Sequence, residues 1–162
     1  MNAVSKYASL VKFAHTIFAM PFAMIGFVYG LTTAAPPYCP QSPYLVLVQV
    51  VLCMVFARNT AMGFNRWADR RIDAENPRTA GREIPSGKVP ARHALWFVVV
   101  NALLFIATAA TINRLTALLA PAALFIVLFY SYCKRFTWAA HLVLGLSLSI
   151  APVGAYIALT GR

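Results

Sequence analysis

Five apolar runs, at roughly 15–34, 44–66, 93–112, 115–133 and 138–160, take up most of this 162-residue chain. Each is close to the ~20 residues an α-helix needs to cross the hydrocarbon core of a bilayer. In lipid every backbone N–H and C=O must be satisfied within its own segment, so runs of this length and order predict an all-α, multi-pass transmembrane bundle. The composition leaves no soluble alternative: 60% of residues are hydrophobic and 11% charged, too few charges to clothe a water-facing surface. The first run follows Lys6 and Lys12 in the manner of a signal peptide, but its apolar stretch is long and four more follow, which favours a retained span.

Charge divides the connections. Residues 32–43 carry none, whereas Arg66, Arg70, Arg71, Arg78, Arg82, Lys88 and Arg92 crowd between the second and third runs. The positive-inside rule therefore places this segment, the amino terminus and Lys134-Arg135 on the cytoplasmic side of the cell (inner) membrane, with Arg114 and Arg162 outside. A formal net charge of +10 would suit nucleic acid on a soluble protein, but no soluble domain is left to present it. Anionic membrane lipid and an anionic substrate are the partners it fits. Cys39, Cys53 and Cys133 are far apart without metal-ligand spacing and read as small apolar residues.

The segment 66–92 also holds all four acids of the chain: Asp69, Asp73, Glu75 and Glu83. Its turn formers, Asn76-Pro77, Gly81, Pro85-Ser86-Gly87 and Pro90, exclude one continuous helix and predict a compact cytoplasmic cap. Asn113-Arg114 reads as a tight hairpin. Pro21, Pro121 and Pro152 fall inside the runs, where each deletes a backbone hydrogen bond and tends to bend the helix.

The chemistry concentrates at the mouth of the second run. Asn65, Asp69 and Asp73 are spaced four residues apart, so on a helix they form one slanting stripe of hard oxygen donors. Mg²⁺ is commonly held by one or two carboxylates together with the phosphates of its substrate, which matches this stripe. Arg58, seven residues earlier, returns to nearly the same face inside the run. An ionisable group there needs a partner, and an anion bound beneath the stripe would supply one. Arg70, Arg71, Arg78 and Arg82 add forked donors suited to phosphate oxygens. Lys12 and His15 at the start of the first run, and Lys134-Arg135 after the fourth, lie on the same side. His141 reads as a packing residue in the fifth run.

Four separated elements carry a family resemblance: Val11-Lys12-Phe13-Ala14-His15-Thr16-Ile17-Phe18-Ala19-Met20-Pro21-Phe22; the N-x-x-x-D-x-x-x-D motif at 65–73; Asn76-Pro77-Arg78-Thr79 leading to Ile84-Pro85-Ser86-Gly87; and Tyr130-Ser131-Tyr132-Cys133-Lys134-Arg135-Phe136-Thr137, with its Y-x-x-x-K from Tyr130 to Lys134. In this order they resemble the amino-terminal half of the UbiA superfamily of intramembrane aromatic prenyltransferases, in its 4-hydroxybenzoate polyprenyltransferase-like branch. The resemblance implies Mg²⁺-dependent transfer of a polyprenyl group from polyprenyl diphosphate to an aromatic acid in ubiquinone biosynthesis. It implies Asn65, Asp69 and Asp73 as metal and catalytic residues, Arg58, Arg78, Arg82, Lys134 and Tyr130 as diphosphate contacts, and Lys12 and His15 near the aromatic acceptor or the diphosphate. Phe13, Phe18, Phe22 and Tyr29 are candidates to line the prenyl chamber.

The family has about nine spans and a second aspartate motif in its later half, whereas no acid follows Glu83 here. The expectation is therefore a partial prenyltransferase domain over residues 1–162, five spans of an expected nine, with a missing carboxy-terminal half needed for activity. Two other readings stay in view: a naphthoate prenyltransferase of menaquinone synthesis, and a non-enzymatic basic membrane scaffold. A CDP-alcohol phosphotransferase is disfavoured, because no aspartate precedes Asp69.

Overall fold

The computed structural model describes residues 7, 10–11, 14–33, 41–133, 135–138 and 140–161, with the side chains of 14–19 left out. From Ala14 onward the described residues form six helices: α1 (Ala14–Thr33), α2 (Pro43–Ala68), α3 (Arg70–Glu75), α4 (Ala91–Ile112), α5 (Arg114–Cys133) and α6 (Ala140–Thr160). Each long helix lies within about two residues of one of the five apolar runs. Four of them, α2, α4, α5 and α6, are long and apolar enough to cross a membrane, and Met20–Thr33 of α1 is a shorter apolar stretch. Pro21, Pro121 and Pro152 do fall inside helices. In lipid this is tolerated, because neighbouring helices can re-satisfy the freed backbone groups.

Packing divides into two main pairs, α2 against α4 and α1 against α6, joined through α5. Ala23 and Phe27 of α1 meet Val46, Val50, Ile112, Ala155, Ala158 and Leu159 in one core, while Phe105 and Ala109 of α4 pack on Ala120 and Leu124 of α5 in another. Alanines stand among these contacts (Ala23, Ala155 and Ala158; Ala109 and Ala120), where a small side chain allows the close approach that holds helices together in lipid by dispersion. The closest approach is at Gly26. A Cβ there would collide with the Pro152 carbonyl oxygen and lie 2.7 Å from its carbonyl carbon. Asn59 Nδ2 donates to Asn101 Oδ1 across α2 and α4 at 3.0 Å, a polar tie inside the apolar bundle.

Outward faces carry bare hydrophobics such as Leu103, Leu118 and Leu142, as lipid-facing helices should. Asn113 alone links α4 to α5. Its Oδ1 accepts from Thr116 N–H at 2.9 Å, and its Nδ2 donates to the Ile157 carbonyl at 3.0 Å, which ties the hairpin to α6. His141 departs from expectation. It is exposed, because α6 begins only at Ala140 and places it in the first turn rather than within the bundle.

Between α3 and α4 the chain runs through consecutive turns. Thr79 N–H donates to the Asn76 carbonyl, Ser86 N–H to that of Arg82, and Val89 N–H to that of Glu83. Gly87 sits at φ 75°, a left-handed conformation that costs little only without a Cβ. Ile84 and Val89 are buried against Leu10 and Ala94, with Trp67 and Phe97 alongside, so the cap has an apolar anchor of its own.

Candidate functional site

The helical path of α2 does not end at its mouth. Asp69 N–H donates to the Asn65 carbonyl at 3.0 Å and Asp73 N–H to the Asp69 carbonyl at 2.8 Å, so α3 continues the same spiral. Asn65, Asp69 and Asp73 therefore rise one turn at a time along one side. Asp69 and Asp73 are buried, and each is met by an arginine. Arg82 Nη1 donates to both Asp73 oxygens, at 2.7 and 2.8 Å, and Arg135 Nη2 donates to Asp69 Oδ1 at 2.9 Å. Thr79 fixes the other end of Asp73 by donating its hydroxyl to the Asp73 carbonyl at 3.0 Å. Arg66, grouped by sequence with the cytoplasmic-side cations, is buried and lies 3.4 Å from Glu83.

Below the stripe, a partly open cavity of about 600 Å³ lies between α2, α4, α5 and α6. Its size falls within the roughly 300–1,000 Å³ usual for small-molecule sites. Most of its wall is apolar, including Val50, Ala57, Phe105, Leu124, Ile126 and Ile150, and Phe22 contributes from α1. The polar groups it receives are few: Arg58 and Asn65 from α2, Thr116, Tyr130 and Ser131 from α5, and Ser147 from α6. Arg58 is the unusual one. Its Nε is buried with no hydrogen-bond partner, a costly state for a cationic group unless an anion comes to it.

The structure thus brings together most of the residues singled out in the sequence. Arg58, Asn65 and Tyr130 share the cavity; Asp69 and Asp73 continue the stripe above it, with Arg82 reaching Asp73 from the turns after α3. Arg78 stands apart: it is exposed in the turn after α3, and its backbone N–H donates to Asn76 Oδ1. Tyr29 is exposed and stacks on Tyr156 at 5.6 Å instead of lining the cavity. Arg70 is drawn onto the Trp67 ring at 4.6 Å and donates to the Trp67 carbonyl. Lys12, Lys134 and Phe13, with the side chains of His15 and Phe18, lie outside the described residues, as do Lys6, Cys39 and Arg162. Cys53 and Cys133 are free thiols in or near the core.

Two contributors escaped the sequence reading. Arg135 could be grouped with the cytoplasmic cations only by side, since 66 residues separate it from Asp69. Ser131 carries no motif signal beyond its place beside Tyr130. The donors themselves suit a hard divalent cation, being two carboxylates and an amide oxygen in register along the helical path that runs from α2 into α3. Among the described residues no three His, Cys, Asp or Glu side chains cluster, so a metal here would need oxygens from its substrate as well.

Comparison with known proteins gives the same picture. Residues 16–162 match the UbiA prenyltransferase family. The 4-hydroxybenzoate octaprenyltransferase of Aliivibrio fischeri (strain MJ11) is 36% identical over 113 residues, 70% of this chain and 39% of the relative; that of Aeromonas salmonicida (strain A449) is 38% identical over 112 residues, 69% and 39% respectively. The chain thus spans about two fifths of the length of these curated relatives. Among solved structures, a UbiA homolog from Aeropyrum pernix K1 superposes with a TM-score of 0.81 at 33% identity, over 91% of this chain and 51% of that one. A UbiA homolog from Archaeoglobus fulgidus bound to GPP and Mg²⁺ gives 0.74 at 23% identity, over 97% and 54%, a likeness of fold. With a family match over nearly its full length and the aspartate stripe standing above an apolar intramembrane cavity, this multi-pass membrane chain belongs to the UbiA prenyltransferase family.

Proposed function

We propose that this chain forms the prenyl-diphosphate half of an aromatic prenyltransferase, which moves a polyprenyl group from its diphosphate to a small aromatic acid of the 4-hydroxybenzoate kind. One observation carries the reading: the buried, unpartnered Arg58 Nε lies where an apolar cavity of prenyl-chain character meets the Asn65, Asp69 and Asp73 stripe. An amphiphile with an apolar tail and a polyanionic head fits that junction. Relatives named 4-hydroxybenzoate octaprenyltransferase support the acceptor class and a place in ubiquinone synthesis, over a naphthoate acceptor or a scaffold without chemistry.

In this reading Val50, Ala57, Phe105 and Leu124 hold the tail by dispersion and exclude water, which would otherwise capture the allylic cation formed as diphosphate leaves. Arg58 and Tyr130 receive diphosphate oxygens at the polar end of the cavity, Arg82 adds donors from the cap, and Lys134 extends the basic side. Arg78 is left as a recruit from the cap surface, and Lys12 and His15 as candidates for the acceptor's carboxylate. Asn65, Asp69 and Asp73 would hold Mg²⁺, which when bound supplies charge neutralisation to the departing diphosphate. Arg58 and Arg82 orient the leaving diphosphate; as its allylic C–O bond breaks, a ring carbon of the acceptor bonds the allylic carbon and then gives up its proton to diphosphate or water.

Arg58→Met tests the carrying observation. Losing a charge-assisted hydrogen bond should weaken binding of a non-hydrolysable geranyl thiodiphosphate by about ten- to a hundredfold, with the thermal midpoint little changed. Titration of the lipid-reconstituted protein reads this. Undiminished affinity would take Arg58, and the reading built on it, out of the site. Radiolabelled transfer to 4-hydroxybenzoate compared with 1,4-dihydroxy-2-naphthoate then separates the acceptors.

The cap and its basic residues are placed in the cytoplasm by the same reading. Ser86 and Ser42 are exposed at opposite ends of the bundle. In intact cells, in a Cys39→Ser background, a membrane-impermeant maleimide should label Ser42→Cys and spare Ser86→Cys until the membrane is opened. The reverse pattern would invert the topology.

A further inference from the structure

The two carboxylates of the stripe already hold counter-ions that compete directly with any cation, and those counter-ions are the groups a diphosphate would want. Asp69 and Asp73 are nearly withdrawn from solvent, whereas Arg135 and Arg82 are each about a third exposed and reach in from other segments. Arg135 leaves the end of α5 in a turn closed by its own N–H to the Tyr132 carbonyl, and its guanidinium lies 5.4 Å above the Tyr132 ring. That ring is itself held edge-on to Phe64, so the guanidinium rests on a fixed platform. It can turn on that platform without losing the ring contact.

We propose that Arg135, assisted by Arg82, is an exchangeable counter-ion: it neutralises Asp69 in the metal-free protein, yields that carboxylate to the incoming divalent cation, and turns to the diphosphate. This rests on the function proposed above. A buried carboxylate must keep a partner, and a guanidinium 2.9 Å away on Asp69 Oδ1 satisfies it until something of higher charge arrives. A divalent cation on that oxygen repels the guanidinium, while a diphosphate offers the same fork a better acceptor. Metal alone must therefore displace Arg135, and diphosphate alone must pull Arg135 off Asp69. Together each ligand removes the other's competitor, so the two bind as a coupled pair.

The signature is an opposite sign on the two ligands. With Mn²⁺ alone, read by electron paramagnetic resonance on the protein in lipid nanodiscs, Arg135→Gln should bind about tenfold tighter than wild type, within the usual range of coupling between linked sites. With geranyl diphosphate alone in the presence of EDTA, the same variant should bind several-fold more weakly. Adding Asp69→Asn to Arg135→Gln should erase the Mn²⁺ gain, which locates the effect at that carboxylate. Arg135→Lys, which keeps the charge but loses the fork, covers the case of poor folding and should show a smaller gain of the same sign. Mn²⁺ affinity equal to or below wild type in both variants, with wild type binding Mn²⁺, would overturn the exchange and leave the metal site standing. No Mn²⁺ bound by wild type, with or without geranyl diphosphate, would remove the metal site and the exchange together.

Discussion

In the full-length enzyme proposed for this chain, Asp69→Asn and Asp73→Asn should each cut prenyl transfer by about a hundredfold or more while leaving the helices packed, because each removes a negative charge aimed at the proposed cation that would neutralise the leaving group. The asparagine keeps the shape of the side chain, which matters most at Asp73, where both oxygens face Arg82 at 2.7 and 2.8 Å and the space is closed. Arg82 and Arg135 lose their partners in these variants, but both are partly exposed and can turn to water, so the fold need not follow the activity. Cutting Asp73 back to alanine would mix the two effects. Turnover of radiolabelled prenyl diphosphate at saturating Mg²⁺, alongside thermal midpoints, separates them, and wild-type rates in both variants would dismiss the stripe as the working site.

Gly26→Ala should be the most damaging small substitution in the bundle. A methyl there has no soft neighbour to push aside, since the colliding atoms are the backbone oxygen, carbon and Cα of Pro152. Relief requires α1 and α6 to part along a contact that includes Ala23, Phe27, Ala155, Ala158 and Leu159. Overpacking of this kind costs about 1–3 kcal/mol, and a clash with backbone belongs at the upper end. Gly145→Ala is the control, because a Cβ at that position meets nothing within 4 Å. It should be neutral or gain the roughly 0.5–1 kcal/mol by which alanine exceeds glycine in a helix. Thermal unfolding in detergent and limited proteolysis report both. An unshifted midpoint in Gly26→Ala would mean that α1 and α6 do not meet there.

The path of the chain was legible early because lipid permits so few structures. Apolar runs of spanning length become helices whatever their neighbours, and the observed ends differ from the runs by about two residues. The stripe was legible for a similar reason. A four-residue spacing faces one way on any helix, and the hydrogen bonds through Asp69 keep the spiral going past the membrane mouth. Arg58 followed from its spacing to Asn65, and both now line one cavity. The cap was foreseen from its turn formers, but not its anchor, since Leu10 reaches Ile84 and Val89 only after the chain has folded back.

By itself the sequence determined the all-helical membrane class, the helix ends, the aspartate register and the family, because each depends on periodicity or on motifs local to one segment. Tertiary structure alone decided what faces those motifs. It paired Arg135 with Asp69 across 66 residues and buried Arg66 against Glu83. It also withdrew Arg70 onto Trp67 and moved Tyr29 and His141 out of the roles their surroundings in sequence suggested. The physical reason is that charge is satisfied through space: which arginine neutralises a buried carboxylate depends on where two distant turns dock, and one helix's spacing carries no record of that.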